Sequence, residues 1–180
     1  MKRKMALPGL FIVVCLWATA LCASDDFTVC QGKFALCTTA KCAPVPGQQG
    51  VVSCACDVKT GYSAGHESCQ DAKETSPRQL MSRYFPVKYH AICSNDRPWA
   101  TCLDKPCTVD KDNPSKASCA CSLVKDQGDY VIVTETYDDS TCVMGIVSSA
   151  TVQQSAQITD FLKTTEHLKP FPIKIVNSPK

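Results

Sequence analysis

Cys37, Cys42, Cys54 and Cys56 stand in the spacing C-x4-C-x11-C-A-C, and Cys102, Cys107, Cys119 and Cys121 repeat it sixty-five residues later under different side chains. Sulfurs grouped in this way suit three chemistries: a four-thiolate zinc site, dithiol exchange or structural cross-linking. Zinc knuckles use C-x2-C, and a redox dithiol wants C-x-x-C at a helix start, where the thiol pKa is lowered. Neither spacing occurs in the chain. Cys30 and Cys69 flank the first group, and Cys93 and Cys142 flank the second, so each half carries six cysteines. Cross-linking is the favoured chemistry, with no metal and no cofactor expected.

The remaining reactive side chains are scattered. Nucleophilic catalysis needs a histidine within reach of a serine or cysteine and oriented by a third group. His66, His90 and His167 are the 3 histidines, each alone in sequence, and no G-x-S-x-G is present. His66-Glu67 reads as a solvated loop pair before Cys69, and His90 as a surface or packing residue alternating with Tyr89 on a strand. Asp129 with Asp138 and Asp139 could collect a cation, but such a group after a strand is more often a solvated turn. No catalytic residue is assigned. Trp99, with Arg97 two residues before it, lies between Cys93 and Cys102, and Trp and Arg are typical interface anchors. These two are the candidate contact residues; the competing reading places Trp99 over the disulfide core, as Phe34 would be in the first half.

These groups sit behind an address. Lys2, Arg3 and Lys4 precede the apolar run Ala6 to Ala20, and small residues follow, as in a secretory signal spanning residues 1–23. That run is shorter than the ~20 residues of a membrane-spanning helix and contains Pro8 and Gly9. Cleavage removes Cys15 and Cys22 together with the three basic residues, which takes the formal charge from +2 to −1. Twelve cysteines in about 157 exported residues is the density of a disulfide scaffold. A near-neutral chain offers no electrostatic reason for nucleic acid or an anionic membrane as partner.

Elements follow from turn and periodicity signals. Pro44, Pro46 and Gly47 mark a turn, and Val51 to Val58 reads as a strand carrying Cys54 and Cys56 on one face. Asn113-Pro114 and the strand Ala117 to Val124, with Cys119 and Cys121, repeat this. Ser76, Pro77 and Gln79 spell a helix start with Leu80, Met81 and Tyr84 on its apolar face and Pro86 as its stop. Val87 to Ile92 and Tyr130 to Tyr137 are further strands. Val143 to Val147 either pairs with the latter or packs in the core. Thr151 and Gln154 cap a second helix from Val152 to about Glu166. The tail Phe171-Pro172-Ile173-Lys174 echoes Phe85-Pro86-Val87-Lys88. The fold class expected is small, disulfide-rich and mainly β, built of hairpins with one helix per repeat, in two tandem repeats over residues 27–90 and 91–177.

The first half, C-x6-C-x4-C-x11-C-x-C-x12-C with Gly61-Tyr62 and Gly65 between its last two cysteines, resembles an epidermal growth factor-like domain. The resemblance implies first-to-third, second-to-fourth and fifth-to-sixth pairing: Cys30–Cys42, Cys37–Cys54 and Cys56–Cys69, and by analogy Cys93–Cys107, Cys102–Cys119 and Cys121–Cys142. It does not extend to the calcium-binding version, because Asp25 and Asp26 stand too far from Cys30 and Ala43 to Ser53 holds no Asn or Asp. The run Pro98-Trp99-Ala100-Thr101-Cys102 through Pro106-Cys107-Thr108-Val109-Asp110, with Lys116-Ala117, resembles exported bacterial cysteine-rich proteins, a group with no assigned activity.

The expectation is therefore a secreted or periplasmic, non-catalytic protein that binds or supports an unidentified protein or envelope component, with no membrane span after signal removal. The alternative is a secreted protease inhibitor or toxin-like effector. In that case Lys41, or Lys105 before Pro106, would face a trypsin-like protease from a rigid loop.

Overall fold

The computed structural model describes residues 26–70, 78–94 and 96–177. The signal-like residues 1–23, and the Ser76-Pro77 part of the first helix signal, lie outside them. Two long hairpin strands organise the rest. β3 (Val51–Gly65) and β8 (Lys116–Val124) pair antiparallel with Cys54 opposite Cys119, Val52 opposite Cys121 and Cys56 opposite Ala117. β1 (Thr28–Leu36) and β2 (Cys42–Pro44) pair with β3; β6 (Trp99–Thr101) and β7 (Pro106–Val109) pair with β8. β4 (Gln79–Met81) adds to β7 through Leu80 opposite Cys107. The chain beyond it returns to β1 by a parallel bridge from Ser82 to Ala35. On the other side Val147 bridges Lys41 and Ser148 bridges Ala100. The seven strands thus curl into a sheet that nearly closes as a barrel.

The period-2 pattern of the cysteine strands sets what fills it. Val52, Cys54 and Cys56 are buried while Ala55 is exposed, and Ala117, Cys119 and Cys121 are buried while Ser118 and Ala120 are exposed. Same-face sulfurs, expected from the C-A-C spacing, are what the strands show. Around them lie Ala35, Ala40, Ala100 and Leu80, so the core is largely small side chains and sulfur.

The six disulfides among the described residues are Cys30–Cys69, Cys37–Cys56, Cys42–Cys54, Cys93–Cys142, Cys102–Cys121 and Cys107–Cys119. Each half is nested, first to sixth, second to fifth and third to fourth. All six pairs implied by the growth factor resemblance are overturned: Cys30–Cys42, Cys37–Cys54, Cys56–Cys69, Cys93–Cys107, Cys102–Cys119 and Cys121–Cys142. Register is the cause. Antiparallel pairing puts Cys42 directly opposite Cys54 and Cys107 opposite Cys119. With Leu36 opposite Asp57 and Thr101 opposite Ser122, the next residues brought face to face are Cys37 with Cys56 and Cys102 with Cys121. A hairpin zipped from its tip makes nested bridges.

Two other expectations need correction. The first half carries no helix among the described residues: Gln79–Met81 is strand β4. A helix cap contributes only about 1 kcal/mol, whereas this segment supplies the backbone bonds that close the barrel, including Ser82 N to Lys105 O at 2.9 Å and Arg83 N to Ala35 O at 2.9 Å. Nor are the halves two units in tandem. They share one sheet, and β4 from the first half pairs with β7 of the second.

A second sheet of four strands runs β10 (Ala150–Thr151), β9 (Tyr130–Val133), β5 (Tyr89–Cys93) and β11 (Lys174–Ile175). The two Phe-Pro tails meet here, because β11 lies parallel to β5 with Lys174 N donating to Lys88 O at 2.8 Å. The expected second helix is present as α1 (Val152–Leu162), with Thr151 and Gln154 forming the full capping box. It buries Ile158 and Leu162 against Ala64 and Leu168, with Phe27, Val29, Tyr62 and Tyr84 packed around them. Thr151→Ala removes one arm of the cap, and a loss of about 1 kcal/mol is expected in urea melts. A change under 0.3 kcal/mol, by contrast with that magnitude, would mean that tertiary packing alone holds the helix end.

Candidate functional site

Where the barrel, the small sheet and α1 meet, they leave a partly enclosed cavity of about 220 Å³. Its position follows from the closure of the barrel. The strand that returns to β1 at Ser82 continues into Arg83 and Tyr84, and Ala64 N donates back to Tyr84 O at 2.9 Å. Arg83 and Tyr84 therefore form one wall. His90 on β5, Val131 and Val133 on β9, Ser148 to Ala150, and Ser155 and Ile158 on α1 complete it, while Phe27 and His66 also line it.

Arg83 is buried yet charged, and its surroundings explain how. Nη1 donates to Asp104 Oδ1 at 3.0 Å and to Glu67 O at 2.9 Å, and Nη2 donates to Thr28 O at 2.8 Å. Asp104 Oδ2 accepts from His66 N at 2.6 Å. The ion pair is buried on both sides, with side-chain exposures of 1% and 9%. It ties the end of β3 to the turn before β7. Space for it depends on Gly65, where a Cβ would collide with Asp104 Oδ1 and lie 2.6 Å from Arg83 Nη1. Arg83 Nε is the one buried side-chain nitrogen or oxygen without a partner among the described residues, and it is sealed from solvent.

Two other groups on the wall are shifted by burial. Burial lowers the His90 pKa from its ordinary value, so the imidazole is uncharged at neutral pH. Burial raises the Tyr84 phenol, opposed in part by its bonds to the Thr159 side chain and the Val87 backbone. His90, Ser148 and Ser155 are each at least nine-tenths buried, at 2%, 9% and 8% exposure. None of the three makes a side-chain hydrogen bond to a described residue. Their polar atoms are not sealed, and all three residues line the cavity. Such an arrangement can hold a small molecule. It does not position a nucleophile against a base, since the His90 ring bonds to none of the hydroxyls nearby.

Reading the sequence missed this site. It takes His66 and His90 as separate loop and strand residues, whereas both line the one cavity, His66 stacked on Phe27 with ring centroids 4.3 Å apart. His167 is elsewhere, stacked on Tyr62 at 4.7 Å. Arg83 belongs to no motif, and its only sequence signal is a charge beside the apolar residues Leu80, Met81 and Tyr84. Trp99 is corrected from contact residue to core: it is 2% exposed and stacks on Tyr130 beside Cys93 and Val147. Trp99 lies opposite Val124 and Phe34 opposite Lys59, matching positions of the two halves, and both aromatic side chains are buried. Arg97 is exposed. Lys41 and Lys105 both lie in the barrel, where Lys41 O accepts from Ala55 N at 3.0 Å and Lys105 O from Ser82 N at 2.9 Å. Asp138 caps a turn, its carboxylate accepting from Ser140 N at 2.8 Å and Ser140 Oγ at 2.6 Å, which hold its pKa below the usual range.

Sulfurs of different bridges crowd in the barrel, with Cys37 Sγ 3.4 Å from Cys119 Sγ. Three trios of cysteines there have the spread of a metal site, but each of those sulfurs is already in a disulfide and offers no thiolate. Six disulfides suggest an oxidising extracellular or periplasmic environment. No helix among the described residues is long and apolar enough to cross a membrane. No protein-family model, curated protein or solved structure matches the chain.

Proposed function

We propose that this is an exported, non-catalytic binding module of the cell envelope or extracellular space, built from two copies of one disulfide unit folded around a shared strand pair. The observation that carries the binding reading is the preformed cavity, walled by elements that disulfides and a buried ion pair hold in place and lined by buried polar groups with no protein partner. Preorganised sites of this kind bind with smaller ordering costs. The duplication is supported by matched geometry. Cys54 and Cys119, opposite one another, occupy the same place in the two spacings, and so do the bridges from Ala35 to Ser82 and from Ala100 to Ser148. Thr39 and Asp104, also in matching positions, share a left-handed φ of 54°.

For the inhibitor alternative, Lys41 is exposed and Lys105 half-buried, and the backbone carbonyls of both are hydrogen-bonded to neighbouring segments. The immobilised oxidised protein should retain a specific component, small molecules included, from envelope or medium extracts analysed by mass spectrometry. The same chain reduced and unfolded should not retain it. If the folded protein holds back nothing that the unfolded one does not, the binding reading fails.

A further inference from the structure

We propose that the cavity takes a small uncharged aromatic molecule bearing one hydrogen-bonding group, of the phenol or indole class; this rests on reading the protein as a binding module. Size comes first. A dry cavity of about 150 Å³ accepts benzene, and this one, at about 220 Å³, leaves room for a second small ring or a substituent.

Charge comes second. Arg83 is already paired with Asp104 at 3.0 Å, and burial disfavours the charged form of His90, so neither of these groups is free to meet an ion. An anion or cation entering would give up its hydration with no opposite charge in return. Shape and polarity come third. The rings of Phe27, His66, Tyr84 and His90 line the cavity and suit a flat partner, which aromatic side chains hold in offset or edge-to-face contact. His90, Ser148 and Ser155 supply donors and acceptors that the protein leaves unused, and these favour a ligand with a hydroxyl or N–H over a pure hydrocarbon.

The test is a titration of the 15N-labelled oxidised protein with phenol, indole, benzoate, benzene and glucose, read by amide shifts. Phenol and indole are expected to shift the amides of His90, Ser148 and Ser155 and to saturate, with benzoate at least tenfold weaker. His90→Leu should weaken phenol at least fivefold and benzene less than twofold. Ser155→Leu, which fills the cavity from α1, should abolish both. Tighter binding of benzoate or glucose at those amides would overturn the ligand class while leaving the binding-module reading intact. If none of the five probes shifts them in the unmodified protein, the cavity is not a site and both readings lose their support.

Discussion

A chain in which Cys42, Cys54, Cys107 and Cys119 are all alanine is expected to be unfolded at 37 °C. These four sulfurs form the innermost bridge of each half, and Cys54 and Cys119 face one another where the hairpins join. Losing a native disulfide from a small exported domain costs about 2–5 kcal/mol. Two such losses together approach the whole stability of a domain, about 5–15 kcal/mol. The entropic part is modest for each, because the bridges Cys37–Cys56 and Cys102–Cys121 still close nearly the same loops. The larger part is packing. Cys54 and Cys119 are fully buried in a core made largely of small side chains and sulfur, so collapse of the neighbours only partly fills the space that the sulfurs leave. Circular dichroism and guanidinium melts of the two double variants and the quadruple variant would decide it. A quadruple variant that melts within 2 kcal/mol of the parent, well under the ~4–10 expected for two bridges, would show that the sulfur core is dispensable.

Arg83→Met is expected to cost about 3–5 kcal/mol, because it leaves the Asp104 carboxylate buried without its partner. The double variant Arg83→Met with Asp104→Leu should recover part of that loss, since replacing both members of a buried pair by apolar groups is often near neutral. Recovery should be incomplete here. Arg83 also donates to Glu67 O and Thr28 O, and Asp104 accepts from His66 N, so the backbone would lose partners as well. Gly65→Ala acts on the same pair by steric displacement and should destabilise in the same direction. Urea midpoints for the set form a mutant cycle. Singles that change stability by less than about 1 kcal/mol, the range of exposed ion pairs, would show that this pair is hydrated in solution.

How much of this was legible in the chain varies with the range of the forces involved. The C-A-C spacing showed that two sulfurs share a face in each half, because side-chain direction along a strand is local. The Thr151–Gln154 box located the start of α1 for the same reason: its two hydrogen bonds lie within four residues. The pairing of the cysteines was not local. It depended on which residues oppose one another across the hairpins, and the spacing alone was equally compatible with a growth factor pattern. The Ser76–Gln79 helix signal went wrong because local capping was weaker than the demand of a nearly closed sheet for a strand at Gln79–Met81.

The sequence by itself determined a mainly β, disulfide-rich scaffold with one cysteine spacing written twice, since composition and period-2 patterning dictate that much before any long-range contact forms. Only the tertiary structure decided that the two halves share one barrel, that Trp99 is core, and that Arg83, His66 and His90 meet around one cavity. Those outcomes come from contacts between segments tens of residues apart, such as Arg83 with Asp104 and β5 with β9. The energies of such contacts depend on burial, which the folded chain alone creates.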